Sequence, residues 1–169
     1  FEFFPTKTDA GAEKLITVHK ELQLLNPEFF SVTYGAGGST RERTLSTLND
    51  FNGKGTPVAP HLSCIGDSKE RIAELLDLYK SQGIDRIVAL RGDLPSGQVG
   101  LGELPYASDL VAFIREHSGD HFHIEVAAYP EMHPQAESFD QDIQNFITKA
   151  RAGANSALTQ FFFNPDAYF

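Results

Sequence analysis

With 169 residues, 41% of them hydrophobic and 22% charged, the chain has enough apolar material for a packed core and too little charge bias for disorder. Its 23 acidic against 14 basic side chains leave a formal net charge of -9, which sets nucleic acid aside as a partner: a polyanion meets net repulsion and no Lys/Arg run to offset it. One cysteine, Cys64, excludes an internal disulfide and a multi-cysteine metal cage, and no apolar run reaches bilayer-spanning length, so a cytoplasmic location with no membrane partner is expected.

The chain opens on a strand-like run, residues 1–4, without an initiating Met and without the basic start and long apolar stretch of a signal peptide; residues before Phe1 are expected to be missing. Residues 9–25 then carry a helical stripe of Ala12, Leu15, Ile16, His19 and Leu22. A second strand-like run, 29–34, leads into Gly35-Ala36-Gly37-Gly38-Ser39-Thr40, and Ser39 with Glu42 has the spacing of a helix cap. A third run, 56–64, precedes a further cap pair, Asp67 with Glu70. The fourth run, 86–90, ends in Arg91-Gly92-Asp93 and a Gly- and Pro-rich loop over 96–106. After the fifth run, 123–129, Ser138 with Gln141 caps a helix whose Ile143, Phe146 and Ile147 form one stripe before Gly153 stops it; the sixth run is 157–163.

Short apolar strands alternating with helices at this interval predict βαβ units and a parallel α/β sheet. Two closures compete. An open doubly wound sheet suits the length, since a barrel normally takes eight units and ~250 residues. A TIM barrel suits the polar residues: Glu2, Thr33, His61, Arg91, Tyr129 and Gln160 all fall late in their strands, and a barrel gathers those ends around one mouth. In that case residues 1–169 form a single partial barrel domain of about six of the eight units.

Several residues are candidates for chemistry, each with a plainer reading beside it. Glu2 lies between aromatic residues, where burial raises a carboxyl pKa and suits a general acid; it is equally an edge residue at a frayed end. Arg91-Gly92-Asp93 offers a cation, a close-approach backbone and a carboxylate, or simply a turn closed by an Arg–Asp pair. The glycine run at 35–38 can present amides to an anion, but Thr40 holds the third glycine position of a dinucleotide fingerprint, so no Rossmann site is inferred. His61 and His133 are too few for a zinc site; they are hydrogen-bonded structural histidines or, if they share one mouth, cofactor contacts. His117, His121 and His123 read as solvent-facing. Asp142, Asn145 and Lys149 share one helix face, which is either a nucleotide contact or an ordinary charged surface. Phe161-Phe162-Phe163 reads first as a buried strand and second as an aromatic platform.

Taken together, the runs Phe1-Glu2-Phe3-Phe4-Pro5, Ser31-Val32-Thr33-Tyr34-Gly35-Ala36, Ala59-Pro60-His61-Leu62, Ala89-Leu90-Arg91-Gly92-Asp93-Leu94-Pro95, Tyr106-Ala107-Ser108-Asp109-Leu110, Ala127-Ala128-Tyr129-Pro130-Glu131 and Thr159-Gln160-Phe161-Phe162-Phe163 resemble, in order and interval, the methylenetetrahydrofolate reductase family. The resemblance spans the whole chain. It implies a (β/α)8 barrel that holds FAD without a Rossmann domain. By similarity Glu2 matches the acidic catalyst that helps protonate the folate nitrogen, and Asp93 a carboxylate close to flavin and folate. Gln160 matches a residue that contacts folate or nicotinamide, and Thr33 one near the nicotinamide. The flavin positions that match are Tyr34, Ala36, His61, Arg91, Gly92, Ala107, Tyr129, His133, Ala136, Asp142, Asn145 and Lys149; Thr148 departs from the pattern, since a basic residue is often found there.

The same resemblance implies a ping-pong reaction: NAD(P)H gives hydride to the flavin and leaves, then methylenetetrahydrofolate takes the same face and is reduced to 5-methyltetrahydrofolate. A homo-oligomer is expected from the bacterial members. The family's barrel continues through two more strands after the position of Phe169, so the alternative is a non-catalytic flavin-binding fragment of the same fold.

Overall fold

The computed structural model describes residues 1–34, 41–93 and 102–169. Six strands, β1 (Glu2–Phe3), β2 (Phe30–Val32), β3 (Val58–Ser63), β4 (Arg86–Leu90), β5 (His123–Ala128) and β6 (Ser156–Thr159), alternate with five helices. These are α1 (Asp9–Gln23), α2 (Arg41–Phe51), α3 (Lys69–Ser81), α4 (Ala107–Ser118) and α5 (Phe139–Arg151). Every strand pair is parallel and the spatial order is β1-β2-β3-β4-β5-β6. A doubly wound sheet reverses its strand order at a switch point; here there is no reversal, so the sheet winds one way as a partial TIM barrel.

The helix starts follow local chemistry. The N–H of Gly11 donates to Thr8 Oγ1, that of Arg71 to Ser68 Oγ and that of Gln141 to Ser138 Oγ, each meeting one orphan amide of a first turn. The third helix is therefore capped by Ser68 and not by Asp67, which instead pairs with Arg71 at 3.3 Å. Helix α4 lacks a cap of the usual type: the carboxylate of Asp109 accepts from the N–H of Tyr106 at 3.0 Å. Helix α1 stops at Gln23, because Asn26 turns to φ 51° and leaves Leu24 and Leu25 exposed. The Ser39 cap and the glycine run at 35–38 lie outside the described residues.

The two faces of the sheet differ in chemistry. Residues of one parity, including Phe30, Val32, Leu62, Ile87, Ala89, Ile124 and Val126, are buried with Ile72, Leu75 and Leu76 of α3 and Leu110, Val111 and Ile114 of α4. Each of the Val, Leu, Ile and Phe side chains contributes roughly 1.5–3 kcal/mol by leaving water. The other parity, on the concave face, mixes apolar Ala59 and Val88 with polar side chains: Ser31, Thr33, His61 and Glu125 are all buried there. At the strand starts Glu125 is held by Arg86 at 2.6 Å and by the Ser156 hydroxyl, with His123 at 3.4 Å. Arg86 also reaches Glu28 at 2.9 Å. His123 joins this network with its side chain still 39% exposed, His117 pairs with Asp77 at 2.9 Å, and His121 is exposed. A buried carboxylate deprived of its partner costs about 3–5 kcal/mol, so this network ties the starts of β4, β5 and β6 in register.

His19 of α1 is 1% exposed, stacked on Phe51 at 4.1 Å and beside Phe30 at 4.5 Å, and neither ring nitrogen has a partner among the described residues. Burial, and secondarily the charge of Lys54, lower its pKa. A neutral imidazole in the fold takes up its proton only on unfolding, so its contribution is fullest above the unfolded value near 6.5 and falls as pH drops below it. His19→Leu is expected to raise Tm by about 3 °C or more, since a buried unsatisfied polar group costs ~1–3 kcal/mol. Tm measured at pH 7.5 and 5 is expected to fall less in the variant than in the wild type; an equal fall shows that His19 does not carry this dependence.

Helix α5 departs from expectation. Its apolar stripe is not core: Ile143 is 54% exposed and no residue of the helix is buried. All four residues of β6 are exposed too, because β6 is an edge strand. The strand ends at Thr159, and Phe161 and Phe163 are exposed at 77% and 85%, so the buried strand expected over 161–163 is corrected to an open turn. Among the described residues no helix is long and apolar enough to cross a membrane.

Candidate active site

Strands β1, β2 and β3 bring Glu2, Thr33 and His61 together on the concave face. Glu2 Oε2 lies 3.3 Å from His61 Nε2, without the alignment of a hydrogen bond. Burial pushes the His61 pKa down to about 4, so the imidazole is neutral at physiological pH and the contact is not an ion pair. The Glu2 side chain is 48% exposed, because β1 is an edge strand, and the desolvation expected from its aromatic neighbours is incomplete. The N–H of Thr33 donates to Phe3 O and its carbonyl accepts from Thr44, which fixes the backbone. Its Oγ1, by contrast, is buried and has no hydrogen-bond partner among the described residues. Tyr34 is the last described residue after β2, and Ala36 lies outside the described residues.

The ends of β3 and β4 are stitched by side chains. Ser63 Oγ donates to Arg91 O at 2.8 Å, and the Cys64 thiol faces Leu90 O at 3.6 Å. Burial pushes that thiol up to about 11, leaving it a packing residue and not a nucleophile. Arg91 does not pair with Asp93 as the plainer reading had it: its guanidinium donates to Gly92 O and, at 2.7 Å, to Gln135 Oε1. Asp93 is exposed at the mouth.

Beside this turn a groove of about 370 Å³ runs between α4, α5 and the loop after β5. Arg91 and Ala107 line one wall, Tyr129, His133 and Ala136 the loop side, and Asp142, Asn145 and Lys149 the α5 side. Eight of the residues singled out from sequence thus converge from four separate stretches of chain. The loop is set by its own contacts: Asp142 accepts from His133 N–H at 2.9 Å, and the Tyr129 and His133 rings meet edge-on at 4.5 Å. Burial raises the Tyr129 pKa, helped by the charges of Asp142 and Asp93 and opposed by Arg91, so the phenol stays a neutral donor. Lys149 is half-buried and donates to Ala127 O of β5; burial lowers its pKa while Asp142 opposes the fall. The helix face is therefore no simple solvated surface, and Lys149 anchors α5 to the sheet as well as lining the groove. Ala107 and Ser108 of the first turn of α4, where helix amides lack intrahelical acceptors, line the same groove.

Gln160 follows β6, its N–H donating to Ala128 O at 2.7 Å and its amide oxygen accepting from Phe161 N–H. His61 sits beside Glu2 and His133 against Tyr129, so the two histidines serve different parts of the mouth. Gln135 and Ser63 have no counterpart in the sequence reading, and Glu131 enters it only as the end of a matching run. Gln135 reaches Arg91 across 44 residues and Ser63 reaches it across 28, distances at which no local pattern operates. Among the described residues no group of three His, Cys, Asp or Glu side chains converges on a metal site.

The family model for methylenetetrahydrofolate reductase matches residues 1–169. The chain belongs to this family. It is 47% identical over 169 residues to the 5,10-methylenetetrahydrofolate reductase of Pectobacterium carotovorum subsp. carotovorum, covering 99% of this chain and 55% of that protein. The protein of the same name from Escherichia coli (strain K12) is 45% identical, with 99% and 56% covered. The chain spans a little over half the length of these reductases. Among solved structures, phosphonopyruvate hydrolase in complex with oxalate and Mg²⁺ superposes with a TM-score of 0.69 at 12% identity, over 99% of this chain and 61% of that one, a likeness of fold alone.

Proposed function

We propose that the protein reduces 5,10-methylenetetrahydrofolate to 5-methyltetrahydrofolate with NAD(P)H in the cytoplasm, residues 1–169 forming one partial catalytic domain. The observation that carries this reading is the groove, where Arg91, Ala107, the loop after β5 and the polar face of α5 meet beside the concave face. FAD, when bound, supplies the hydride relay between nicotinamide and folate. Asn145 and Lys149, with the first turn of α4, hold its phosphates and ribose, while Tyr129, His133 and Ala136 wall the groove and Arg91, steadied by Gln135, supplies a cation near the ring. The unpartnered Thr33 hydroxyl serves the nicotinamide and the neutral His61 the flavin side. Glu2 delivers the proton to the folate nitrogen, Asp93 stabilises positive charge that develops on the substrate, and Gln160 binds the folate.

A second reading takes residues 1–169 as a flavin-binding piece without turnover. Anaerobic stopped-flow on the full-length protein separates the two. NADH is expected to bleach flavin absorbance and methylenetetrahydrofolate to restore it. A protein that retains flavin but fails either step supports the second reading, and a colourless protein that takes up no FAD removes both.

A further inference from the structure

One side chain joins the turns that follow β5 and β6. Glu131 is exposed, two residues past Tyr129, and its Oε1 accepts from the backbone N–H of Phe163 at 3.1 Å and of Asn164 at 2.9 Å, 32 and 33 residues downstream. Two successive amides converging on one carboxylate oxygen make a charge-assisted anchor, stronger than a neutral pair. Asn164 continues the structure: its Oδ1 accepts from Asp166 N–H at 3.0 Å and caps the short 3-10 turn Pro165–Ala167. The ring of Phe162 then stacks on Tyr168, centroids 5.8 Å apart and planes within 5°.

Upstream, the last ladder bond is that of Gln160 N–H to Ala128 O. Between this bond and the Glu131 anchor the N–H of Phe161 donates to the Gln160 side-chain oxygen at 3.1 Å, and the exposed Phe161 and Phe163 rings meet edge-on at 5.0 Å. The path from Gln160 to Phe163 is tied to β5 and to the loop after it at both ends, by the Ala128 carbonyl and by Glu131. Glu131 does not line the α4–α5 groove.

We propose that Glu131 is a positioning residue for the folate half of the site, holding the Gln160–Phe163 segment so that Gln160 meets the substrate. This rests on the reading of Gln160 as a folate contact. Neutral Gln at this position keeps an acceptor oxygen, whereas Ala leaves both amides to water and the segment held at one end.

The test compares Glu131→Ala and Glu131→Gln in the full-length, flavin-loaded protein, by peptide-resolved amide hydrogen exchange across 160–165 and by the two half-reactions. In the Ala variant, exchange at Phe163 and Asn164 is expected to accelerate about 10-fold or more, the loss of a hydrogen bond to a charged group. The KM for methylenetetrahydrofolate is expected to rise about 10-fold while flavin reduction by saturating NADH keeps its rate, and the Gln variant to recover most of both effects. Unchanged exchange overturns the anchor; faster exchange with an unchanged KM overturns its role in positioning. Equal losses in both half-reactions that Gln does not rescue overturn the proposal in favour of a general structural role. If the wild-type protein shows no flavin reduction by NADH, the functional reading fails by itself, and the exchange comparison still decides whether Glu131 holds the segment.

Discussion

Glu2→Gln in the full-length protein is expected to leave flavin retention and flavin reduction by NADH intact and to slow flavin reoxidation by methylenetetrahydrofolate by ~10² to 10⁴-fold, the usual cost of losing a general acid. The substitution keeps the shape of the side chain and a polar atom facing His61, 3.3 Å away, but removes the transferable proton. His61 sharpens the expectation. With its pKa pushed to about 4 by burial, the imidazole faces Glu2 as a dipole and not as a cation, so no ion pair stands between the carboxyl and proton transfer. Single-turnover reoxidation followed by flavin absorbance measures the effect directly. Reoxidation at the wild-type rate would remove Glu2 from the role of proton donor and leave it an edge residue of β1.

The second large effect is on structure. Gly92 sits at φ +85°, and a Cβ added there meets Ser63 Oγ at 2.0 Å and Ile65 Cγ2 at 3.0 Å. Ser63 cannot simply rotate away, because its hydroxyl donates to Arg91 O and closes the end of β3 onto β4. Backbone strain of ~1–3 kcal/mol at a left-handed position adds to a comparable cost of overpacking, so Gly92→Ala is expected to lose about 2–5 kcal/mol and lower Tm by roughly 5–15 °C. Since the same turn carries Arg91 and Asp93, flavin content is expected to fall with it. Adding Ser63→Ala should recover the part due to the Oγ clash, less the lost hydrogen bond to Arg91 O, and none of the part due to φ. A thermal melt of Gly92→Ala that overlays the wild type would mean that the turn relaxes freely and does not set the mouth.

Alternation of strand-like runs with capped helices made the α/β class readable without coordinates, because hydrophobic period and capping chemistry are local. Ser138 and the α1 stripe around His19 were legible for that reason. The late-strand positions of Glu2, Thr33, His61, Arg91 and Tyr129 likewise pointed to one mouth, since parallel strands of one sheet end on the same side. Only the tertiary structure decided the rest. The order β1 to β6 without reversal settled barrel winding over a doubly wound sheet, a property of how units associate and not of any one unit. Burial followed the neighbours a residue acquired: Phe161, read first as part of a buried strand, lies exposed past the end of β6, whereas polar Glu125 is buried among partners on three strands. The bonds of Arg91 to Gln135 and of Glu131 to Phe163 join residues more than thirty positions apart, where no spacing rule operates and only the closing of one strand end against another brings them within reach.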